Sequence, residues 1–444
     1  MTINNLKQLY KDKQLTPRML MSQIKERIEA HSKNPIWIHV LSDSELEPYL
    51  TRLESSEPDA LPLYGIPFAI KDNIDLKGVP TTAACPDYSY VPRESAFVVN
   101  ALIKAGAIPV GKSNLDQFAT GLVGTRSPYG ACQNSIDPAY ISGGSSSGSA
   151  VSVALDMAVF SLGTDTAGSG RVPAAFNNLV GLKPSKGLLS TSGVVPACRS
   201  LDCVSIFAKS TEDAQKVFDV AASFDEADPY SRQMDEVQKS LPSSFRFAVP
   251  QVDQLKFFGD SEAEALYHKA VKRFKDMGGT AIETDFSPML EAANLLYYGP
   301  WVAERYVAVK EMIENKPESF IEVTRTIIES GKSKSAEDYF NAEYKLKAYK
   351  RQADILMQDI DFALTPTTGT IYTIDEVNAD PIQLNTNLGY YTNFMNLLDY
   401  SAYAVPAGFR DKGLPFGVTL FAGAFEDRKL LMLGEQFIQK ESHV

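Results

Sequence analysis

The chain has 444 residues and a formal net charge of −12, with 44% hydrophobic and 22% charged residues. This length can bury a large core, and the composition is that of an ordinary globular protein. The acidic balance argues against nucleic acid as a main partner, and no apolar run reaches the roughly 18 residues that a membrane helix needs. The N-terminus lacks the apolar stretch of a signal peptide, so we expect a cytoplasmic protein that binds no membrane.

Residues 1–60 are predicted to be mainly helical. A helix over 15–30 begins with Thr16 as its N-cap and Pro17 in its first turn. A short strand follows in the segment NPIWIHVL, because its residues are mostly β-branched, aromatic or apolar. The acidic residues 43–60 are expected to lie exposed on the surface.

Two apolar strands with a helix between them come next. GIPFAIK predicts a buried strand that ends at Lys71, residues 94–105 predict a helix stopped by Gly106, and AIPVG predicts a second strand. The run from Gly106 to Ser113 matches the nucleotide-binding pattern G-x4-G-K-[ST]. That pattern requires a glycine loop between a strand and a helix, whereas here Gly106 ends a helix and the strand follows. We therefore reject a nucleotide site.

Two loops of small residues, GGSSSGS and TDTAGSGR, lie on either side of an apolar segment. A helix over 150–162 is expected to hold the loops against each other. Their composition is also that of a flexible linker, but linkers do not alternate with apolar core segments. GGSSSGS is a poor phosphate loop, because Ser149 and Ala150 stand where lysine and serine or threonine are needed. Backbone N–H groups and hydroxyls together favour acyl transfer through a serine.

Strands and helices continue to alternate in the second half of the chain. Further strands are predicted over 245–249, 281–283, 361–366 and 417–423, and further helices near 212–222, 261–277, 300–314, 336–358 and 428–439. A polar, acidic surface crossover is expected over 223–243. This alternation predicts an α/β sandwich around a large sheet. Because no repeat or long linker interrupts it, we expect a single domain over 1–444.

The four cysteines show no spacing typical of a metal site. The nearest pair is Cys198 and Cys203, and the chain has only four histidines to assist them. In a cytosolic protein such thiols are usually reduced core residues. We therefore expect no metal, structural zinc included.

The motifs GGSSSGSA and GTDTAGSGRVPAA, preceded by GIPFAIKDN, resemble the amidase signature family of serine hydrolases. The resemblance covers most of the chain and is dense over the catalytic core, residues 61–210. It implies an α/β/α sandwich with a large mixed central β-sheet and no cofactor. It also implies that Ser169 is the nucleophile, that Ser145 follows a cis peptide bond and relays protons, and that Lys71 is the base.

A lysine base needs a physical reason, because lysine with its ordinary pKa of about 10.4 is protonated at neutral pH. Burial at the end of an apolar strand favours the neutral form and lowers the pKa of Lys71. The alternative is that Lys71 reaches the surface or pairs with Asp72. A histidine base is disfavoured, since all four histidines lie outside the motifs.

The resemblance also assigns an oxyanion hole and its support. The backbone amides expected to hold the oxyanion are those of Thr166, Ala167, Gly168 and Ser169. An ion pair between Asp165 and Arg171 is expected to clamp this loop.

Further segments are most similar to the allophanate hydrolase branch of the family: NPIWIHVL, FATGLVGTRSPYG, RVPAAFNNLVGLKPSKG and LLYYGPWVAERY. Allophanate is urea that carries a carboxylate, so its site needs a carboxylate clamp. Arg305 suits this clamp because a guanidinium binds a carboxylate with two hydrogen bonds, and Tyr297 can bond the same ligand. A loop that enters a helix at Pro300 is expected to separate them, and backbone near Gly121 is expected to line the pocket.

This branch implies release of ammonia from allophanate in urea degradation, a homodimer, and a functional link to urea carboxylase. Its members usually carry a further C-terminal domain, which we expect to be absent here. Two hydrolase alternatives are the glutaminase subunit of a tRNA-dependent amidotransferase, which shares the motifs, and a general amidase for small amides. An alternative of another class is a non-catalytic binding protein on the same fold.

Overall fold

The computed structural model describes residues 1–234 and 244–441, so the predicted crossover over 223–243 lies partly outside the described residues. The strands are β1 Trp37–Val40, β2 Pro67–Lys71, β3 Ile108–Ser113, β4 Phe160–Asp165, β5 Val180–Lys183, β6 Cys203–Ala208, β7 Phe245–Pro250, β8 Gly279–Thr284, β9 Phe362–Pro366, β10 Tyr400–Phe409 and β11 Pro415–Gly423. The α-helices are α1 Ile3–Lys11, α2 Pro17–Ala30, α3 Asp43–Glu54, α4 Phe97–Lys104, α5 Ser147–Ala154, α6 Val172–Phe176, α7 Thr211–Ala221, α8 Ser261–Asp276, α9 Ser287–Tyr297, α10 Trp301–Asn315, α11 Glu322–Glu329, α12 Ala336–Leu356, α13 Ile374–Ala379, α14 Gln383–Leu388 and α15 Asp427–Glu441.

These strands form one sheet of 11 strands in the order β1-β3-β2-β4-β6-β5-β10-β11-β9-β7-β8. Strand β2 runs parallel to β3 and β4, and β7 runs parallel to β8 and β9. The remaining pairs are antiparallel. The large mixed sheet with its helices confirms the predicted fold class.

Strand β2 shows how the sheet separates two layers of core. Because side chains alternate along a strand, Phe68 and Ile70 pack into the large apolar cluster on one face. Ala69 faces the other way and packs with Ala150 of α5 and Ala174 of α6. The small residues of the two motifs therefore allow short helices to lie close against the sheet.

The predicted helix over 150–162 is wrong in its extent. Helix α5 ends at Ala154, and β4 begins at Phe160. Between them Asp156 adopts a φ of +57°, in the left-handed region where a helix does not continue. At the other end of α5, a Cβ added to Gly148 would lie 2.2 Å from a backbone oxygen. The start of α5 is thus tightly packed, which excludes a flexible linker.

Most residues of the segment over 43–60 are exposed, as expected, but the segment contains α3, which buries Leu46, Leu50 and Leu53 on one face. Strands β5, β6 and β10 were not predicted. By contrast, β2 ends at Lys71 as predicted, and β3 runs through the lysine of the nucleotide-binding pattern, which confirms that no glycine loop exists there.

Of the helices in the described residues, none combines the length and the apolar character of a membrane span.

Candidate active site

Strand β2 brings Lys71 to the two motif loops. Its Nζ donates hydrogen bonds of 2.7 Å to Ser145 Oγ and of 2.7 Å to Thr164 Oγ1. The peptide bond between Gly144 and Ser145 is cis. Lys71 and Ser145 are fully buried. The structure therefore brings two of the three predicted catalytic side chains into direct contact.

The surroundings of Lys71 favour an uncharged amine. Burial lowers the pKa of Lys71 to about 7, against the opposing effect of the carboxylates of Asp116, Asp202 and Asp165. None of the carboxylates in the described residues lies within ion-pair distance of its Nζ. Asp72, the alternative partner considered for Lys71, instead pairs with Lys112 at 3.0 Å.

Ser169 lies on the TDTAGSGR loop and is almost completely buried. Its Oγ is 3.5 Å from the carbonyl oxygen of Gly121, so the backbone of Gly121 lies beside the predicted nucleophile. Elsewhere in the loop, the amide of Gly168 donates to Asp165 Oδ1 at 2.8 Å. Gly168 is therefore not available as an oxyanion donor in this structure. The amides of Thr166, Ala167 and Ser169 have no acceptor among the described residues.

The predicted ion pair between Asp165 and Arg171 is present and fully buried. Arg171 donates from Nε to Oδ2 at 2.9 Å and from Nη2 to Oδ1 at 3.0 Å, which is the two-pronged geometry of a strong pair. Burial alone would raise the pKa of Asp165, but the guanidinium beside it holds that pKa below its ordinary value. The charged carboxylate thus fixes both ends of the serine loop.

Arg305 and Tyr297 also meet in the structure. Arg305 is only 2% exposed, and its Nη2 donates to the Tyr297 hydroxyl at 3.3 Å. Tyr297 is the last residue of α9 and Arg305 lies in the second turn of α10, which begins just after Pro300, so a short connection separates them as expected. Two helix ends therefore hold the predicted clamp, with Gly299 and Pro300 in the short connection between them.

One backbone segment connects this clamp to the serine. The carbonyl oxygen of Ala119 accepts from Arg305 at 3.3 Å, that of Thr120 accepts from Arg126 at 2.9 Å, and that of Gly121 faces Ser169. Ala119 has a φ of +53°, which is unfavourable for a residue with a side chain and is typical of functional sites. We refer to residues 119–121 as the carbonyl segment.

Sequence reasoning missed three residues that support the site. Asp116 accepts hydrogen bonds from the amides of Val123 and Gly124 and so fixes the loop after the carbonyl segment. Asp202 accepts from the Thr166 hydroxyl at 2.5 Å, and Thr164 is the second partner of Lys71. Thr164 was detectable because it stands within the GTDTAGSG motif, whereas the two aspartates carry no local sequence signal.

A cavity of about 360 Å³ lies next to the clamp. Tyr297 lines it together with Arg126, Asn385 and Asn393, while the two serines and Lys71 do not. Tyr297 thus belongs both to the cavity and to the buried clamp.

All four cysteines are buried and free, and no group of metal-ligating side chains occurs in residues 1–234 and 244–441.

The fold, a large mixed sheet with helices, is that of an amidohydrolase. The amidase family model matches residues 20–431, so the chain belongs to the amidase family. It is 47% identical over 426 residues to urea amidolyase of Lachancea kluyveri, covering 95% of this chain and 23% of that protein. It is 47% identical over 408 residues to urea amidolyase of Saccharomyces cerevisiae, covering 91% of this chain and 22% of that protein.

Solved structures show the same likeness. Selenomethionine-substituted Kluyveromyces lactis allophanate hydrolase superposes with a TM-score of 0.93 at 44% identity, covering 98% of this chain and 72% of that one. The chain spans less than a quarter of the length of either urea amidolyase. These similarities establish the family and the fold.

Proposed function

We propose that this chain hydrolyses allophanate, urea-1-carboxylate, and releases ammonia. The observation that carries the proposal is a buried lysine bonded to a serine, with a buried guanidinium–tyrosine pair that the carbonyl segment connects to Ser169. Lysine and serine suit acyl transfer, and the guanidinium suits a carboxylate on the substrate. The likeness to proteins named urea amidolyase and allophanate hydrolase supports this substrate.

In the proposed first half-reaction, Ser169 Oγ attacks the terminal ureido carbonyl carbon. Its proton passes to Ser145, which gives its own proton to the neutral amine of Lys71. The oxyanion is held by the free amides of Thr166, Ala167 and Ser169, while the amide of Gly168 supports Asp165. Arg305 holds the substrate carboxylate at the far end.

The tetrahedral intermediate then breaks its bond to the terminal nitrogen, which receives the proton back from Lys71 through Ser145 and leaves as ammonia. Water attacks the acyl-enzyme by the reverse proton path and releases a dicarboxylated amine. Loss of carbon dioxide from that product completes the degradation. A urea carboxylase is the activity that supplies the substrate, and we propose a homodimer as the working form.

The test is ammonia release by the purified chain from allophanate, with glutamine as the alternative substrate. We expect release from allophanate, none above background for Ser169→Ala, and at least a tenfold lower kcat/KM for Arg305→Ala. Preference for glutamine would overturn the substrate in favour of the glutaminase of an amidotransferase. Full activity of both Ser169→Ala and Lys71→Ala would overturn the mechanism.

A further inference from the structure

Arg126 is a second buried guanidinium beside the clamp. It is 3% exposed, and it donates from Nη1 to Thr120 O at 2.9 Å and from Nη2 to Pro381 O at 2.5 Å. These bonds use two of its five N–H donors, and its buried Nε has no partner in the described residues. Both acceptors are neutral carbonyls, so Arg126 keeps spare hydrogen-bonding capacity and a full positive charge.

Neither Arg126 nor Arg305 has a carboxylate within ion-pair distance in the described part of the chain. Asp116 is the acid whose charge acts most strongly on Arg126. Its oxygens, however, are occupied by the backbone amides of Val123, Gly124 and Arg126 itself. Buried cations are normally paired, because desolvation of an uncompensated charge is costly. Two guanidinium groups left without a carboxylate therefore indicate an anionic ligand.

Arg126 and Arg305 both donate hydrogen bonds to Thr120. Arg305 donates to the hydroxyl of Thr120 at 3.2 Å, and Arg126 donates to the carbonyl of the same residue. Arg126 and Tyr297 line the same cavity, and Tyr297 contacts Arg305. The cavity wall also holds Asn393, whose buried Oδ1 has no donor in the described residues and suits a ligand N–H.

We propose that Arg126 is a second specificity-determining residue, which acts with Arg305 to select amides that carry a carboxylate and to bind dicarboxylates more tightly still. The inference rests on the proposed function, because it concerns the charge of the ligand that this same site takes. The substrate proposed above carries one carboxylate and the first product carries two. Arg126 thus supplies the second cation that such a product needs.

The first test uses the unaltered protein and three ligands of nearly equal size: malonate, malonamate and malonamide. Malonate has the skeleton of the proposed product with a methylene in place of the nitrogen, and malonamide is its neutral counterpart. Calorimetric titration is expected to give the tightest binding for malonate, weaker binding for malonamate and the weakest for malonamide. Equal affinities for all three would overturn the proposal.

The second test compares Arg126→Gln, which removes the charge, with Arg126→Lys, which keeps it. We expect Arg126→Gln to raise the Kd of malonate at least tenfold and that of malonamide less than twofold, with a smaller rise in malonate Kd for Arg126→Lys. An unchanged malonate Kd, or an equal loss for malonate and malonamide, would mean a purely structural role and would overturn the proposal. If Arg126→Gln shows no cooperative unfolding transition, the proposal is decided by the titrations of the unaltered protein with malonate, malonamate and malonamide.

Binding needs no turnover, so this proposal and the proposed function fail separately. Absence of ammonia release from allophanate by the unaltered chain would remove the proposed reaction. Charge-selective binding of malonate that depends on Arg126 would still establish the anion site.

Discussion

Two fully buried lysines on neighbouring strands differ in what surrounds them. Lys71 pairs in register with Ser113 and Lys112 pairs with Ile70, so the alternation of the strands sends the two lysines to opposite faces. Lys112 meets the carboxylate of Asp72, whereas the hydrogen-bond partners of Lys71 in the described residues are hydroxyl groups. The comparison shows that the partner and not the burial distinguishes a structural lysine from a candidate base.

The largest effect is expected for Lys71→Met. Loss of a residue that acts as one unit with the nucleophile typically costs about 10⁴-fold or more in kcat. Because the substitution replaces a buried amine that has no carboxylate partner in the described residues with an apolar side chain, the melting temperature should stay equal or rise. Ammonia release and thermal unfolding measure the two quantities. A residual kcat within tenfold of the unaltered protein would remove Lys71 from the mechanism.

Lys112→Met should have the opposite effects: a loss of stability and little change in kcat. It leaves the buried carboxylate of Asp72 unpaired, which typically lowers the free energy of unfolding by about 3–5 kcal/mol. The kcat of the protein that remains folded should change little. Urea denaturation measures the stability, and the double variant Asp72→Asn with Lys112→Met should recover much of the loss. A stable but inactive Lys112→Met protein would contradict the distinction between the two lysines.

The pH dependence of kcat/KM should further distinguish Lys71 from Lys112. Burial lowers the pKa of Lys71 to about 7, and a base must be neutral to accept a proton. The value of kcat/KM should therefore fall by about tenfold per pH unit below pH 7 and level off above it. Lys112→Met should keep this acidic limb, and a flat profile across pH 5–9 would exclude Lys71 as the titrating base.

The smallest effect is expected for Thr164→Val, which removes one of the two hydroxyl acceptors of Lys71. With fewer acceptors for the ammonium form, the pKa of Lys71 should fall further and the acidic limb should move to lower pH. We expect a change in kcat within about tenfold, because the working amine is neutral and a single neutral hydrogen bond is worth roughly 0.5–1.5 kcal/mol. An acidic limb that moves to higher pH would contradict the assignment of Lys71 as the titrating base.

The sequence predicted β2 and β3 because each is a short apolar run bounded by turn residues, but it did not predict β4, which carries the start of the TDTAGSGR loop. It predicted that residues 1–60 are mainly helical but not α3 itself, although Leu46, Leu50 and Leu53 recur at helical spacing, because many acidic residues are typical of an exposed segment. The apolar run before β4 was long enough for a helix or a strand, and periodicity alone does not separate the two.

For the site, motif spacing indicated Lys71, Ser145 and Ser169, and the structure brings Lys71 into contact with Ser145 and places Ser169 beside the carbonyl of Gly121. The restraint of the Gly168 amide by Asp165 was not predictable, because it depends on the turn that the loop takes. The same holds for Asp116 and Asp202, which act through tertiary contacts. Their side chains are ordinary aspartates in sequence and become informative only when their partners are known.

The carbonyl segment, residues 119–121, has a consequence for how this protein can diverge. One short piece of backbone holds Arg305, then Arg126, and then faces Ser169. A substitution that bends this backbone to suit another ligand also shifts the group next to the attacking hydroxyl. Evolution towards new substrates is therefore expected to accumulate changes on α9 and α10, while residues 119–121 stay nearly fixed.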